Sequence, residues 1–279
     1  MDKTMGQILT WKAKEKNVFT RAQGKKVREK ELVLASDCRK IEDEALMNNV
    51  KIKRVQIPSS VTEVGKQSFA NCTALNELCF DNIERIKQEA FSCCIRVRKA
   101  EFSKKLQYIG KGAFFRCKKL ETATFPESVT CVYLAEEVFY GCESLKEIKI
   151  PKSVQEIKSR AFYKCLNLEK VEFPLALRKI GSQAFYQTAL KELELPDGLR
   201  EIGDSAFLKC NNLESVKIPE SVKRIGKWAF HGCHRLKVVE IAHEPEFIGD
   251  WIVNKSTVIR CRKVEAYCKK FEFAVEYIE

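Results

Sequence analysis

Histidine, proline and long apolar runs are scarce in this 279-residue sequence, and each scarcity excludes a class of protein. Three His residues leave little general-base capacity near neutral pH. Seven Pro and twelve Gly are too few for a collagenous or linker-rich chain, and 45% hydrophobic residues are too many for a disordered one. No apolar run approaches the roughly 18 residues that a membrane helix needs. The chain is therefore expected to bury one large core or two modest ones.

Targeting signals are missing from the N-terminal residues as well. Residues 1–16 contain no apolar stretch as long as a secretory signal, and Asp2 stands where N-myristoylation would require Gly. Thirteen Cys is an odd number, so a disulfide framework would leave one thiol unpaired. We therefore predict free thiols and a reducing, cytoplasmic location. Unconventional export to the cell surface is the alternative.

Motifs of catalysis and metal binding do not occur. The G-x-S-x-G, H-E-x-x-H, P-loop and G-x-G-x-x-G patterns are all missing. His231, Cys233 and His234 carry suitable ligand atoms for zinc, but the chain has no C-x-x-C pair to complete a tetrahedral site. We therefore predict that the protein is not an enzyme and has no cofactor or bound metal.

Positive charge is in excess, with 50 Lys+Arg against 38 Asp+Glu and a net charge of +12. This balance favours acidic partners without choosing among nucleic acid, anionic lipid and acidic protein. Residues 1–31 are especially basic and poor in apolar side chains, so we predict a basic arm that packs no core and becomes ordered on an acidic partner. A solvated tail or a polar cap on the first coil is the alternative. The partner-binding residues predicted in the arm are Lys12, Lys14, Lys16, Arg21, Lys25, Lys26 and Arg28.

A repeated unit organises the rest of the chain. It is seen in IPSSVTEVGKQSFANCTAL (57–75), IPKSVQEIKSRAFYKCLNL (150–168) and IPESVKRIGKWAFHGCHRL (218–236). Each unit contains one anchor residue, usually Phe, and successive anchors lie 22 to 25 residues apart. Such regular spacing indicates a solenoid whose stacked coils share one core. The anchors are Leu46, Phe69, Phe91, Phe114, Phe139, Phe162, Phe185, Phe207, Phe230 and Val253.

Each part of the unit predicts a local structure. Alternating apolar residues such as Ile148 and Ile150 predict a short strand, which Pro151 ends because proline has no N–H to donate. Val154 and Ile157 predict a second pair of inward-pointing side chains. The A-F-x-x-C stretch is expected to form a short helical turn. Glycine four residues before the anchor is expected at a tight corner with positive φ, at Gly65, Gly110, Gly181, Gly203, Gly226 and Gly249.

Seven cysteines follow the anchor by three residues. Thr188 and Asn49 take the same place in two other coils, so the position accepts a small side chain able to form a hydrogen bond. We expect these side chains to point inward, to bond backbone groups and to be chemically inert. The seven are Cys72, Cys94, Cys117, Cys142, Cys165, Cys210 and Cys233.

Three irregularities interrupt the period. The unit of Phe91 lacks Pro before its Val-like position, Ile83, and is one residue short. Two extra residues around 131–136 predict a bulge or projecting loop, and the unit of Phe185 is one residue short after Thr188. Insertions in solenoids often lie at contact sites, although a tolerated surface loop is the favoured interpretation.

The unit I-P-x-S-V-x-x-[IV]-x-x-x-[AS]-F-x-x-C-x-x-L resembles the BspA-like (Treponema pallidum type) leucine-rich repeat over residues 32–279. The resemblance implies an α/β fold: a right-handed leucine-rich-repeat solenoid of about ten 22–25-residue coils with a parallel sheet on its concave side. It also implies binding and adhesion rather than catalysis. The ending STVIRCRKVEAYCKKFEFAVEYI is similar to that family's strand, short helix and final strand. We accordingly divide the chain into a basic N-terminal arm (1–31), the solenoid (32–258) and a C-terminal cap (259–279).

The exposed strand positions carry charges of both signs. Neighbours such as Arg54 and Glu77 are expected to pair along the sheet. Such a face lacks the like-signed positives of a nucleic-acid groove. A separate column follows the anchors, and its rings are expected either to form an exposed aromatic stripe for a partner or to stack on one another along the solenoid. Its predicted binding residues are Phe115, Tyr140, Tyr163 and Tyr186.

These observations predict a non-enzymatic, macromolecule-binding scaffold, either an intracellular structural subunit or an adaptor, that engages an acidic protein partner. The partner could belong to a large acidic assembly such as a cytoskeletal or ribonucleoprotein particle, and we do not expect nucleic acid as a direct specific ligand. A BspA-like surface or adhesion protein is the alternative.

Overall fold

The computed structural model of the chain describes residues 8–11, 17–78 and 80–278, with side chains from residue 17 onward. The chain forms two compact units. The first unit contains Met1–Cys131 and Val138–Leu145, and the second contains Val132–Glu137 and Lys146–Glu279. The predicted insertion lies at this division: the buried Cys131 is followed by Val132, whose side chain is 53% exposed.

Each coil passes through a long strand, a short strand and a turn, and we call the three resulting surfaces the long-strand face, the short-strand face and the turn face. In the first unit the long strands are β1 (Ile8–Trp11), β3 (Glu31–Leu34), β5 (Arg54–Gln56), β8 (Lys99–Glu101) and β10 (Thr122–Thr124), and the short strands are β2 (Val18–Phe19), β4 (Lys40–Ile41), β6 (Glu63–Val64), β7 (Arg85–Ile86) and β9 (Tyr108–Ile109).

The second unit repeats the plan and adds a C-terminal cap. Its long strands are β12 (Glu147–Lys149), β14 (Lys170–Glu172), β17 (Ser215–Ile218), β19 (Val238–Ile241), β21 (Val258–Cys261) and β22 (Val275–Tyr277), and its short strands are β11 (Tyr133–Leu134), β13 (Glu156–Ile157), β15 (Lys179–Ile180), β16 (Glu201–Ile202), β18 (Arg224–Ile225) and β20 (Phe247–Ile248). The two helices of the described chain are α1 (Arg21–Gly24) and α2 (Glu265–Phe271).

Strands of consecutive coils pair in parallel, one repeat apart. The short strands form sheets of order β2-β4-β6-β7-β9 in the first unit and β11-β13-β15-β16-β18-β20 in the second. The long strands form the sheets β1-β3-β5, β8-β10, β12-β14 and β17-β19-β21-β22. The predicted leucine-rich-repeat solenoid is therefore confirmed, with about eleven coils where ten were predicted.

The additional coil comes from the predicted N-terminal arm. β1 pairs with β3 and β2 with β4, and Phe19 and Val27 are only 1% and 3% exposed. The prediction that residues 1–31 pack no core is therefore wrong for residues 17–31. A terminal coil needs few apolar residues of its own, because the next coil supplies the surface against which they are buried.

Phenylalanine rings fill each unit. In the first unit Phe91 stacks between Phe69 and Phe114, with ring centroids 5.0 and 5.4 Å apart. In the second unit Phe207 stacks between Phe185 and Phe230, with both distances 5.2 Å. All six rings are fully buried, as the inward assignment of the anchors predicted.

The A-F-x-x-C stretch is not helical, contrary to prediction. Residues two before and two after the anchor have positive φ, as at Gln67 (52°) and Asn71 (61°). This alternation turns the N–H groups toward the next coil: the N–H of Phe69 donates to Ala90 O at 2.8 Å, and that of Asn71 to Ser92 O at 2.8 Å. A helix would have used these donors within its own coil. In this turn they bond to the next coil, while the alternate N–H groups of Ala70 and Cys72 bond within the coil.

The predicted positive-φ glycines also have a different role. Gly203 lies outside the positive-φ region, and a Cβ built on it would lie 2.6 Å from Ser182 N in the preceding coil. The residue is glycine because two backbones approach each other closely. Positive φ among the glycines occurs instead at Gly112, Gly141 and Gly232, on the turn face.

The C-terminal cap closes the second unit with side chains. The Tyr267 hydroxyl donates to Gly249 O at 3.0 Å and accepts from Ile252 N–H at 3.2 Å. It thereby bridges two backbone groups whose equivalents in an earlier coil, Ala206 N–H and Gly203 O, bond directly to each other. The Trp251 ring packs edge-on against Phe271, with centroids 5.3 Å apart. Strand β21, helix α2 and strand β22 therefore end the stack.

Candidate partner-binding site

A groove of about 380 Å³ lies in the first unit between α1 and the turn of the second coil. One wall is the helix and its C-terminal extension, and the other is the segment 44–51. Its rim is mainly basic and its floor is mainly apolar. The lining residues are Arg21, Gly24, Lys25, Val27, Arg28, Glu44, Ala45, Leu46, Met47, Asn48, Asn49, Val50 and Lys51.

The groove exists because the first coil carries a helix where the others carry a turn. Thr20 caps α1 in a capping box with Gln23, whose Oε1 accepts the Thr20 N–H at 2.7 Å. Gly24 stands five residues after Phe19, the place of the anchor, and an added Cβ would overlap the Ala45 carbonyl oxygen. The helix therefore packs closely on the second coil without extending the hydrogen bonds of the turn face.

One consequence is that the backbone carbonyl oxygen of Met47 is left open as a hydrogen-bond acceptor. In the next coil the equivalent carbonyl, that of Ala70, accepts the Asn48 N–H at 2.8 Å. No hydrogen bond to Met47 O is formed by the residues that the structure describes. The Met47 side chain is 37% exposed and that of Val50 is 59% exposed, so the acceptor lies beside accessible apolar surface.

The charge of the groove is only partly balanced. Arg21 Nη2 lies 2.9 Å from Glu44 Oε2, while Arg28 Nη1 donates to Lys25 O at 2.6 Å and leaves its charge without an acid. Within the described chain, neither Lys25, Arg28 nor Lys51 forms an ion pair. Three cations therefore line the groove without an acidic partner among the described residues.

The predicted arm residues divide into three groups. Arg21, Lys25 and Arg28 are brought together at the groove, whereas Lys26 is exposed in the turn after α1, outside the lining of the groove. Sequence reasoning missed Met47, Val50 and Lys51, although two apolar residues at exposed turn positions were a usable signal. Three further predicted residues, Lys12, Lys14 and Lys16, lie outside the described residues.

The aromatic column combines both of its predicted alternatives. Phe115 stacks on Tyr140 in the first unit with centroids 4.7 Å apart, and Tyr163 stacks on Tyr186 in the second at 4.5 Å. All four rings remain half-exposed. Cations lie over several of them, as Arg116 does over Phe115 at 5.2 Å. The rings are therefore accessible at their edges but have no face-to-face space for an inserted ring.

Charges on the long-strand face are largely neutralised by their neighbours. Arg54 makes a bidentate contact with Glu77, with Nε–Oε2 at 2.7 Å and Nη2–Oε1 at 2.9 Å. Lys217 lies 3.3 Å from Glu240. The predicted pairing along the sheet is confirmed for these residues, and this face offers a partner less unbalanced charge than the groove.

The cysteine column is part of the core. Thiols of the column donate to the carbonyl of the preceding coil's anchor, as Cys94 Sγ does to Phe69 O at 3.1 Å and Cys233 Sγ to Phe207 O at 3.2 Å. Thr188 differs, because its Oγ1 donates to the anchor of its own coil, Phe185 O, at 3.1 Å. The predicted bonding to backbone groups is confirmed, and burial raises the pKa of Cys72 to about 12.

The thiol of Cys93 is expected to be alkylated faster than the other described thiols. Eleven of the twelve described cysteines are buried and Cys93 is half-buried; Cys79 lies outside the described residues. Iodoacetamide at about pH 8 is expected to modify Cys93 well before the buried column, because the thiolate is the nucleophile and burial opposes its formation. Peptide mass spectrometry measures the order, with protein unfolded in guanidinium as control. Rapid labelling of Cys94 or Cys117 in folded protein would contradict the buried column.

His231 Nδ1 lies 3.3 Å from Val253 O, at the end of the turn face. Within the described ranges, no three His, Cys, Asp or Glu side chains are grouped so that they could hold a metal ion. Neither helix of the described chain has the length and apolar character to cross a bilayer.

Comparison with known proteins identifies the repeat. The family described as BspA type leucine rich repeat region matches residues 24–134 and 132–260, in six copies. No curated protein matches the chain. The first match begins at the residue that takes the anchor place in the N-terminal coil, so the family match and the structure both extend the repeat into the predicted arm.

Several solved structures are similar. A leucine-rich repeat protein from Bacteroides ovatus is 29% identical with a TM-score of 0.71, and the match covers 84% of this chain and 63% of that one. This chain thus spans less than two thirds of that protein's length. The pneumococcal vaccine antigen PcpA is 18% identical over 90% of this chain and 79% of its own, with a TM-score of 0.52. The Treponema pallidum leucine-rich repeat protein is 28% identical over 74% and 78%, with a TM-score of 0.41.

The repeat match, the parallel solenoid and the buried anchors lead to the same conclusion. Proteins built from this repeat are generally non-enzymatic scaffolds that bind other proteins, and they are often surface proteins. This chain belongs to the BspA type leucine-rich repeat family.

Proposed function

We propose that the protein is a scaffold that holds an acidic segment of a protein partner in the groove between α1 and residues 44–51. The observation that carries this proposal is the open carbonyl of Met47 beside three cations without acidic partners, Lys25, Arg28 and Lys51. A backbone acceptor, a basic rim and an apolar floor are together suited to an extended peptide that carries carboxylates.

Each component would contribute a different part of the binding. A partner N–H would donate to Met47 O and extend the turn face by one strand-like segment, as in peptide recognition at sheet edges. Carboxylates would accept charge-assisted hydrogen bonds from Lys25 and Arg28, which strengthen binding and guide the encounter. Apolar side chains would cover Met47 and Val50. Because the cations are exposed, the binding is expected to weaken with salt.

A charge-reversal pair tests the groove. The full chain with Lys25→Glu and Arg28→Glu is expected to bind a fluorescein-labelled peptide of alternating Glu and Leu at least about tenfold more weakly than the unaltered chain. Fluorescence anisotropy at low and high salt measures this. The matched control is Lys104→Glu with Lys105→Glu, which changes the net charge equally at two exposed residues of the same unit.

The possible results distinguish binding in the groove from a general attraction of the peptide by the net positive charge. Loss of binding in the groove pair alone supports the proposal. Equal weakening in both pairs would mean that net charge rather than the groove attracts the peptide, and no weakening in either would also contradict it.

We further propose a reducing compartment, as an intracellular adaptor would require. The described cysteines are free, and those of the core use their thiols as donors to backbone carbonyls. Protein from its native source should therefore contain 13 free thiols once unfolded. Disulfides in that material, or labelling of the protein on intact cells, would favour the surface location that is frequent in this family.

A further inference from the structure

At one outward-facing position of the turn face, the last two coils carry tryptophan where the earlier coils carry other residues. The position lies two residues before the anchor, and it has positive φ in coil after coil. The last two coils place Trp228 and Trp251 there, 42% and 36% exposed. Eight earlier coils place small, polar or charged residues at the same position: Glu44, Gln67, Glu89, Gly112, Glu137, Arg160, Gln183 and Ser205.

The eight earlier coils therefore serve as a comparison for the last two. The coil accepts polar residues at this position, so its geometry does not require an aromatic ring there. Large exposed apolar side chains grouped in one place usually indicate an interaction surface. Trp251 packs on the cap residues Phe271 and Phe273, whereas Trp228 has no ring partner among the described residues and requires an explanation outside the fold.

The exposed rings occur in two adjacent coils of the second unit. The backbone N–H of Trp228 donates to Asp250 O at 3.0 Å, so the two tryptophans lie in adjacent coils. Trp251 is held by Phe271 at 5.3 Å and Phe273 at 6.0 Å. Phe247, on the short strand of the same coil as Trp251, is 43% exposed. We call Trp228, Phe247 and Trp251 the aromatic patch.

The patch is bordered by charges of both signs. Arg224 lies over Phe247 at 4.5 Å and Lys227 over Trp228 at 5.1 Å. Ion pairs complete the border, namely Lys223–Glu246 at 2.7 Å, Lys255–Glu272 at 2.7 Å and Lys270–Asp250 at 3.4 Å, and Asp204 accepts the Lys227 N–H at 3.0 Å.

This mixture of positive and negative charges favours a protein partner over a membrane or a nucleic acid. Binding to an anionic membrane or to nucleic acid depends on an excess of cations, and each of the three border ion pairs places an acid beside a cation. An aromatic centre with a charged rim of both signs is instead typical of protein interfaces. The border therefore favours a protein whose own surface charge is also mixed.

We propose that the aromatic patch is a self-association surface, with a second copy of this chain as its occupant. A two-fold interface sets the same patch against itself, so each cation of one copy can face an acid of the other only where both signs are present. The patch satisfies this requirement, because Arg224 and Lys227 lie over its rings and the acids Glu246 and Asp250 lie in its border. This surface belongs to the second unit and is independent of the proposed peptide groove.

A substitution that the fold already accepts provides the test. Trp228→Gln introduces the residue found at Gln67 and Gln183, whose φ values of 52° and 57° match the 57° of Trp228. Sedimentation velocity on the full chain is expected to show a dimer, and Trp228→Gln is expected to raise its dissociation constant about 30-fold or more. Phe247→Lys, which introduces the residue found at Lys179, should weaken the dimer as well.

The control is Leu175→Gln in the same unit, because Leu175 is 82% exposed and stands apart from the patch. It should leave the dimer unchanged, and circular dichroism should show that all three variants are folded. A chain that is monomeric up to about 100 µM would overturn the proposal, since a dimer weaker than that has little stability. So would a dimer that neither patch variant weakens, or phosphatidylserine vesicle binding by a monomeric chain that Trp228→Gln abolishes.

Discussion

Replacing Phe207 by Ala is expected to lower the free energy of unfolding of the second unit by about 4 kcal/mol. The ring is fully buried and stacks on Phe185 and on Phe230 with interplanar angles of 3°. Its removal leaves a cavity that the flanking coils cannot close, because their hydrogen bonds hold the coils at a fixed spacing. Urea denaturation followed by circular dichroism and by tryptophan fluorescence measures the loss, since Trp228 and Trp251 lie in the same unit.

Two substitutions calibrate this value. Phe207→Leu should cost only about 1–2 kcal/mol, because Leu46 is a buried anchor in another coil. Leu175→Ala, at an 82% exposed position, should cost under about 0.5 kcal/mol. A loss below about 1 kcal/mol for Phe207→Ala would show that the anchors contribute far less to the core than their burial indicates.

Replacing Gly203 by Ala is expected to destabilise the second unit by about 3 kcal/mol, a large effect for a single methyl group. The added Cβ would lie 2.6 Å from Ser182 N and 2.7 Å from the Gly181 carbonyl carbon. Both are backbone atoms, so no side chain can rotate away, and relief requires separation of the two coils. The same urea titration measures this change.

The comparison variant is Gly112→Gln in the first unit. Gly112 has φ of +59°, so a rule based on backbone angle alone would make it the more sensitive glycine. Its Cβ would instead meet the flexible Glu89 side chain at 3.3 Å, and Gln occupies this position in other coils. We expect a cost of about 1 kcal/mol. The reverse order of the two effects would show that φ, rather than close approach, selects glycine in this repeat.

The periodic pattern was sufficient to predict the core. Anchors, inward strand residues and cysteines recur at one spacing, and each copy of the unit independently supports the same assignment. The same residues could not show how the A-F-x-x-C stretch folds. A helical turn and an alternating turn bury Phe equally well, and they differ in whether the N–H groups bond within the coil or to the next one.

The candidate site was only partly predictable. The basic composition of residues 1–31 indicated Arg21, Lys25 and Arg28, because excess charge is visible in any sequence. The contribution of Met47 and Val50 was not visible, since it depends on α1 replacing a turn and leaving the neighbouring carbonyl open. Composition likewise predicted an arm without a core, whereas the buried Phe19 and Val27 show that neighbouring coils provide the missing apolar contacts.

The sequence by itself determined the repeat, the identity of the buried rings and the excess of positive charge, since these are properties of spacing and composition. Tertiary structure decided where the N-terminal residues lie, why Gly203 is glycine, and which exposed residues meet as a groove or an aromatic patch. Those outcomes depend on the approach of one coil to the next, and stacking brings together residues about 23 positions apart whose side chains no local pattern relates.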